Sequence, residues 1–418
     1  MSVLVRSWSA AAAFARKTHG SAWRALVLPS GSRRHLFARA VLRRLMEAAC
    51  ARSGRPFDEV LSQVGRSRGA VIFPPSVAWS VKLFQRPHHL ARTFARRGYV
   101  AIFASIALDD DVFGFQEIEP NLFLFRGPAR ILHRIPNPTV WTMPYNHHEG
   151  LAFPRPATVV YDWIDDLEIF TDFDPRLVRG NHERALAEAD VVASVARTLH
   201  AQARARRSDA VYLPNGVEEE HFDTTDTADP DDPAIVRLRR EGKPIAGYYG
   251  ALARWFDYEL LETVARRRPD WNFLLIGPDY DGSLRRAPAL ACPNVAWIGP
   301  RPYASLPAYL RFFDVATIPF RLGPITMATS PLKLYEYFAG GRPVVTTPLP
   351  ECLVHPEVHV AWTADEFADA LDVARREGQD PEARVRLRAV AAANSWRQRV
   401  LQIERVLAAR TMPAAAAS

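Results

Sequence analysis

Cysteine is scarce in this chain: three residues in 418, at Cys50, Cys292 and Cys352, with no CxxC pair and no metal-ligand spacing. That pattern excludes a disulfide framework and a thiolate metal centre, and it fits a reducing compartment. No stretch approaches the roughly 20 consecutive apolar residues that span a bilayer, so no transmembrane helix is expected. No acidic triplet sits beside a strand in the manner of a cation site, and no metal is expected. The runs Asp109-Asp110-Asp111 and Asp229-Pro230-Asp231-Asp232 fall in loops and read as solvated faces or caps. Negative charge is missing altogether from Met1 to Met46, where Arg6, Arg16, Lys17, Arg24, Arg33, Arg34, Arg39, Arg43 and Arg44 stand. These nine cations exceed the formal net charge of +7, so the rest of the chain is close to neutral and slightly acidic. Basic residues interleaved with aromatics across a folded domain, the footprint of nucleic-acid binding, are absent.

What is present suits a globular protein: 48% apolar and 24% charged residues, in a chain long enough for two domains and an appendage. Residues 1–68 form a basic Ala/Arg-rich extension. It reads as a disordered arm, as a helix lying on an anionic membrane surface (Phe37, Val41 and Leu45 fall on one face), or as an organelle transit peptide. From Gly69 the texture changes to short apolar runs alternating with helical stretches. Strands are expected at Ala70–Phe73, Tyr99–Ala104, Leu122–Phe125, Thr139–Met143, Thr158–Tyr161 and Val191–Val195. An N-terminal unit thus covers 69–222, an acidic Thr- and Pro-containing linker 223–243, a second α/β unit 244–390, and a terminal helix and tail 391–418. Alternation of strand and helix implies an α/β fold with two doubly wound, Rossmann-like domains facing a cleft at the carboxyl ends of their strands.

The segment Thr329-Ser330-Pro331-Leu332-Lys333-Leu334-Tyr335-Glu336, closed by Gly340-Gly341, is the most informative. Ser330 suits an N-cap, Pro331 a first helical position and the glycines a stop. A helix start offers free N–H groups and a positive dipole end to a phosphate. Lys333 in that first turn opposes the dipole and costs stability unless an anion answers it. Glu336 lies three residues on, along the same face, where a carboxylate can accept hydrogen bonds from a ribose diol. The bland alternative is a capped surface helix with a Lys–Glu pair.

This segment resembles the C-terminal domain of the family 4-like, retaining glycosyltransferases of the GT-B fold (glycosyl transferases group 1). So do Gly247-Tyr248-Tyr249-Gly250, Asn272-Phe273-Leu274-Leu275-Ile276-Gly277-Pro278 and Asn294-Val295-Ala296-Trp297-Ile298-Gly299. Upstream, Gln85-Arg86-Pro87-His88-His89-Leu90 and Leu213-Pro214-Asn215-Gly216-Val217 are similar to the N-terminal half, and the likeness runs from about Ala70 to Val406. It implies a metal-independent hexosyltransferase with no cofactor, taking a nucleoside diphosphate sugar as donor. Glu336 would hold the ribose, Thr329, Ser330, Leu332 and Lys333 would surround the diphosphate with Arg254 as a second cation, and Gly277 and Arg301 would flank the base. The chain departs from the pattern twice. The acid expected eight residues before Glu336 is Ala328, and the basic residue expected directly after Gly250 is Ala251.

Three N-domain residues are expected near the chemistry. His147 follows a strand and would meet sugar or acceptor, unless it lies in a solvent loop. Asp162 ends the Val159–Tyr161 run and points to the cleft by the strand-end rule. Arg86 opens the first helix, where phosphates dock. Trp79, Phe84, Trp255 and Phe256 read as core or domain contacts. The function expected is transfer of a sugar to a glycan or lipid-linked acceptor in polysaccharide biosynthesis, at the cytoplasmic face of a membrane, with retention and without nucleic acid. The alternatives are a GT-B epimerase or phosphorylase, and a degenerate nucleotide-sugar-binding scaffold.

Overall fold

A computed structural model describes residues 55–81, 83–105, 110–223 and 229–411. The membrane-surface helix read around Phe37, Val41 and Leu45, with most of the basic extension, lies outside the described residues. The first described helix, Phe57–Arg66, falls inside the stretch assigned to that extension, yet it buries Val60 and Val64 against the N-terminal sheet.

Eight strands make the first sheet: β1 (Ala70–Phe73), β2 (Val100–Ala104), β3 (Gly114–Glu119), β4 (Leu122–Arg126), β5 (Thr139–Thr142), β6 (Thr158–Trp163), β7 (Val191–Ser194) and β8 (Val211–Tyr212). Their order is β3-β4-β2-β1-β5-β6-β7-β8, parallel except for the β3–β4 hairpin. The edge strand β3 escapes a periodicity reading because a register shift between Glu117 and Glu119 breaks the two-residue alternation. The central strands are buried on both faces and so read as continuous apolar runs.

The second sheet has six parallel strands: β9 (Ile245–Tyr249), β10 (Asn272–Ile276), β11 (Val295–Trp297), β12 (Val315–Ile318), β13 (Val344–Thr346) and β14 (Val358–Val360), in the order β11-β10-β9-β12-β13-β14. Relative to their own first strand this is the 3-2-1-4-5-6 order, whose direction reverses between β9 and β12. A ligand crevice is expected outside the carboxyl ends of that pair.

Two segments sit differently from their sequence reading. The helix Pro233–Glu241 falls in the stretch assigned to the linker, but Asp232 caps it and Ile235 and Leu238, one turn apart, enter the C-terminal core. The terminal helix Trp396–Thr411 returns to the N-terminal domain, where Trp396, Val400 and Ile403 join its core and Arg97 grips Glu404 at 2.6 Å. Gly216 marks the crossing: a Cβ there would lie 2.8 Å from Trp396 N and 2.9 Å from Asn394 O, so only glycine fits. Among the described residues no helix is long and apolar enough to cross a membrane.

Candidate active site

The crevice between β9 and β12 is walled by two glycine turns. β9 ends at Tyr249 and turns at Gly250 with φ +137°; β10 ends at Ile276 and turns at Gly277 with φ +147°. Gly250 N donates to Ile276 O at 2.9 Å, and Gly277 N to Gly299 O at 2.9 Å, so the two turns stack backbone on backbone. A Cβ on Gly277 would meet Gly250 O at 1.8 Å, and one on Gly250 would meet Lys333 Cε at 2.9 Å. Backbone excludes a side chain at Gly277, and the positive φ strains one at Gly250, which leaves bare peptide edges for a ligand.

Opposite the glycines begins the helix Leu332–Ala339. Pro331, in extended conformation, occupies the N-cap position and offers no side-chain acceptor, so Ser330 is not the cap the sequence suggests. Ser330 instead ties the domains together: its Oγ accepts from Asn215 N at 3.2 Å, and its carbonyl accepts from Asn215 Nδ2 at 2.7 Å. With no cap, the first-turn N–H groups of Leu332 and Lys333 remain for the cleft they line. The Lys333 ammonium stands 5.2 Å from the Tyr248 ring centre and 5.0 Å from that of Phe320, above the ends of β9 and β12. Burial pulls Lys333 below the usual amine range and pushes Glu336 above the usual carboxylate range, while each charge partly offsets the other. The Tyr249 and Tyr303 hydroxyls are both buried beside the pocket with no hydrogen-bond partner among the described residues. Across the cleft Phe84 of the N-terminal domain stacks on Tyr303 at 5.2 Å. The enclosed space is about 170 Å³, lined by Gly250, Gly277, Tyr303, Lys333 and Glu336 among others.

Glu336, Lys333, Leu332, Gly277 and Arg301 are therefore brought together around one pocket. Arg301 contributes position rather than free charge, since its guanidinium is held by Asp232 at 2.5 Å, by Tyr309 Oη at 2.9 Å and by Ile298 O at 2.5 Å. Thr329 lies beside the helix start but turns its hydroxyl to Ile325 O at 2.7 Å and toward Asp165 at 3.4 Å. Burial raises Asp165 to about 7. Arg254 is exposed and lies outside the pocket; its backbone N–H is held by Asp281 at 2.9 Å. Ala328, at the position of the expected acid, packs among Tyr161, Trp163 and Leu199 of the N-terminal domain.

The three N-domain residues expected near the chemistry are placed elsewhere. Arg86 and Asp162 form a buried two-point ion pair, Nε to Oδ2 at 2.7 Å and Nη2 to Oδ1 at 3.0 Å. Asp162 also accepts from Trp141 Nε1 at 2.9 Å, and Arg86 donates to Leu213 O, Pro214 O and the Asn215 side chain. Every face of the pair is used, so it supports Asn215, and through it Ser330, rather than a substrate. We expect Arg86→Met to lower stability by about 3–5 kcal/mol, because it strands a buried carboxylate; urea unfolding measures this, and an unchanged midpoint contradicts it. His147 is neither in a loop nor at the cleft. It opens the helix His147–Leu151, fully buried, with Nδ1 against Thr142 Oγ1 at 2.8 Å and its ring edge-on to Tyr161.

Phe84, read as a core or domain contact, does bridge the domains to Tyr303, whereas Tyr249, Tyr303 and Asn215 are site residues to which pattern reading gave no role. The only signal was their place beside the glycine turns and in the Leu213-Pro214-Asn215-Gly216 string. Of the acidic runs, Asp110 is structural: it accepts from Trp79 N at 2.9 Å and Ser80 N at 2.8 Å.

Residues 244–374 match the family model of Glycosyl transferases group 1. A putative teichuronic acid biosynthesis glycosyltransferase, TuaH of Bacillus subtilis (strain 168), is 32% identical over 187 residues. That alignment covers 44% of this chain and 46% of the relative, so the chain spans about half the length of the curated relative it matches. Among solved structures, sucrose-phosphate synthase from Thermosynechococcus elongatus is similar with a TM-score of 0.61 at 17% identity, covering 81% of this chain and 98% of that one. HepE of Anabaena in complex with UDP-glucose is similar with a TM-score of 0.59 at 14% identity, covering 81% and 99%. These likenesses establish the GT-B fold.

Proposed function

We propose that this chain, a member of glycosyl transferases group 1 through residues 244–374 and of GT-B fold, transfers a sugar from a nucleoside diphosphate donor to a glycan or lipid-linked acceptor with retention. The observation that carries this reading is the placing of Lys333 and Glu336 side by side at an uncapped helix start, facing the Gly250–Gly277 turns. The helix N–H groups and the Lys333 ammonium oppose the negative charge that grows on the departing diphosphate. Glu336 takes the ribose hydroxyls. A hexose on a uridine diphosphate is the first donor to test, since a solved structure of the same fold holds UDP-glucose. The relative named for teichuronic acid biosynthesis favours a surface-polysaccharide acceptor, reached from the cytoplasmic face of the membrane.

The reading is tested by donor hydrolysis: slow release of nucleoside diphosphate from a sugar nucleotide, with full transfer once an acceptor is added. Tight nucleotide binding without turnover of any donor would favour a scaffold, for which the acid missing at Ala328 is the supporting observation.

Donor affinity is expected to depend on pH in a definite direction. Because burial raises the Glu336 carboxyl, the ligand-free fold prefers it protonated. That contribution to stability is full at acid pH and is lost as pH rises through the raised value. Ribose binding needs the ionised carboxylate, so affinity rises from mildly acidic to neutral pH. It then falls on the alkaline side as the lowered Lys333 gives up its proton. Calorimetric titrations across this range check it, and a flat profile contradicts the assignment of both groups.

The basic segment is proposed to bring the enzyme to an anionic membrane. Deleting residues 1–54, which spares the packed helix Phe57–Arg66, is expected to reduce sedimentation with anionic liposomes severalfold. Equal sedimentation of the shortened chain would remove the membrane role.

A further inference from the structure

The amino ends of the C-terminal strands, roughly a strand length of 16 Å from the cleft, enclose a second cavity. It lies between the turn before β9, the Arg311–Asp314 turn before β12, Arg342 before β13 and the helix Ala364–Gln379, and holds about 300 Å³. Arg239, Lys243, Arg311, Arg342 and Arg375 line it, with Asp314.

Two guanidiniums there, those of Arg342 and Arg375, have a buried Nε with no hydrogen-bond partner among the described residues. Asp314 stands 3.6 Å from Arg375 and spends its other oxygen on Ile245 N at 2.8 Å. Asp229 is shared between Arg239 at 2.6 Å and Arg311 at 3.2 Å. Lys243 donates to Pro269 O at 2.9 Å. Arg342, at the floor, is largely buried, and its Nε has no hydrogen-bond partner among the described residues. Burial first, and then the like charges of Arg384, Arg388 and Arg311, lower its pKa to about 10 against the opposing pull of Asp314. A largely buried guanidinium with an unpartnered Nε is costly, and such groups are normally paired. Arg342 is the largely buried member of the group, while Arg239 and Lys243 stand exposed and Arg375 half-buried around the rim.

We propose that this cavity is a second anion site, for a ligand carrying a phosphate or diphosphate group, with Arg342 at its floor and Arg311 and Arg375 at its mouth. The planar guanidinium of Arg342 offers two parallel donors to phosphoryl oxygens. The cavity opens on the side of the domain away from the cleft, so its occupant is not the donor sugar nucleotide. The phosphoryl group belongs either to a soluble phosphate ester or to a phospholipid headgroup.

The test titrates the full chain with sodium pyrophosphate while following thermal unfolding, with Lys333→Met added to every protein, wild type included, so that the diphosphate site of the cleft is silent, and separately sediments it with phosphatidylglycerol vesicles. Wild type is compared with Arg342→Gln and with the double variant Arg311→Gln/Arg375→Gln. Pyrophosphate is expected to raise the melting temperature of wild type and to bind at least tenfold more weakly to either variant. Without pyrophosphate, Arg342→Gln melts at or above wild type, because an unpaired buried cation has been removed. A loss confined to vesicles identifies a lipid headgroup and supports the site equally. If Arg342→Gln fails to fold, the double variant at the mouth carries the comparison. Equal responses of wild type and variants to both probes overturn the proposal.

Discussion

Glu336→Gln is expected to cut kcat/KM for the donor by roughly a hundredfold while leaving the fold intact. The substitution keeps the side chain's shape at a site that is 6% exposed and removes only its charge. Two hydrogen bonds from ribose hydroxyls to a carboxylate, weakened at about 1.5 kcal/mol each, sum to about 3 kcal/mol, which is that factor. The loss should fall on KM more than on kcat, since ribose lies away from the breaking bond and its contacts are alike in ground and transition states. The same change frees Lys333 from a neighbouring acid, and its pKa should fall further, moving the alkaline limb of the pH profile to lower pH. Steady-state kinetics with the best donor measure the first effect. Unchanged KM and kcat in a folded variant would mean that Glu336 does not touch the donor.

Gly277→Ala is expected to destabilise the C-terminal domain by about 4 kcal/mol or more, at the exceptional end for one added methyl group. The clash is with backbone: the new Cβ would sit 1.8 Å from Gly250 O, and φ at +147° is strained for any L side chain. Relief requires the β9 and β10 turns to separate, which breaks the Gly250 N to Ile276 O bond as well. Gly250→Ala is the instructive contrast. Its Cβ would meet the flexible Lys333 Cε at 2.9 Å, so Lys333 can swing aside. That variant should melt closer to wild type, yet bind donor poorly because the phosphate cation has been displaced. Thermal unfolding beside donor titration separates the two, and identical behaviour would deny the glycine turns their distinct roles.

The pairing of Lys333 with Glu336 at a helix start was legible because its logic is local. Pro331, Lys333, Glu336 and Gly340 lie within ten residues, and helical spacing alone puts Lys333 and Glu336 on one face. Gly277 came from the family resemblance, and the structure places it at the end of β10 beside the pocket. Arg86 and Asp162 were read at the right strand and helix ends, but nothing local reveals that they are partners 76 residues apart and fully spent on each other. His147 was misplaced because a short helix after β5 turns the residue inward beneath Thr142. Likewise the return of Trp396–Thr411 to the first domain depends on Trp396 stacking on His89 at 5.1 Å, a contact that no period announces. Arg254 shows the converse error: nearness in sequence to Gly250 did not bring its side chain to the pocket.

The central claim is that the cleft at Lys333 and Glu336 is a nucleoside diphosphate pocket, and calorimetric titration with UDP, GDP, ADP and dTDP tests it most directly. The account predicts that at least one of them binds at a single site, and that Lys333→Met weakens this binding by tenfold or more while the variant stays folded. Binding of none of the four, or equal affinity in wild type and Lys333→Met, would contradict it.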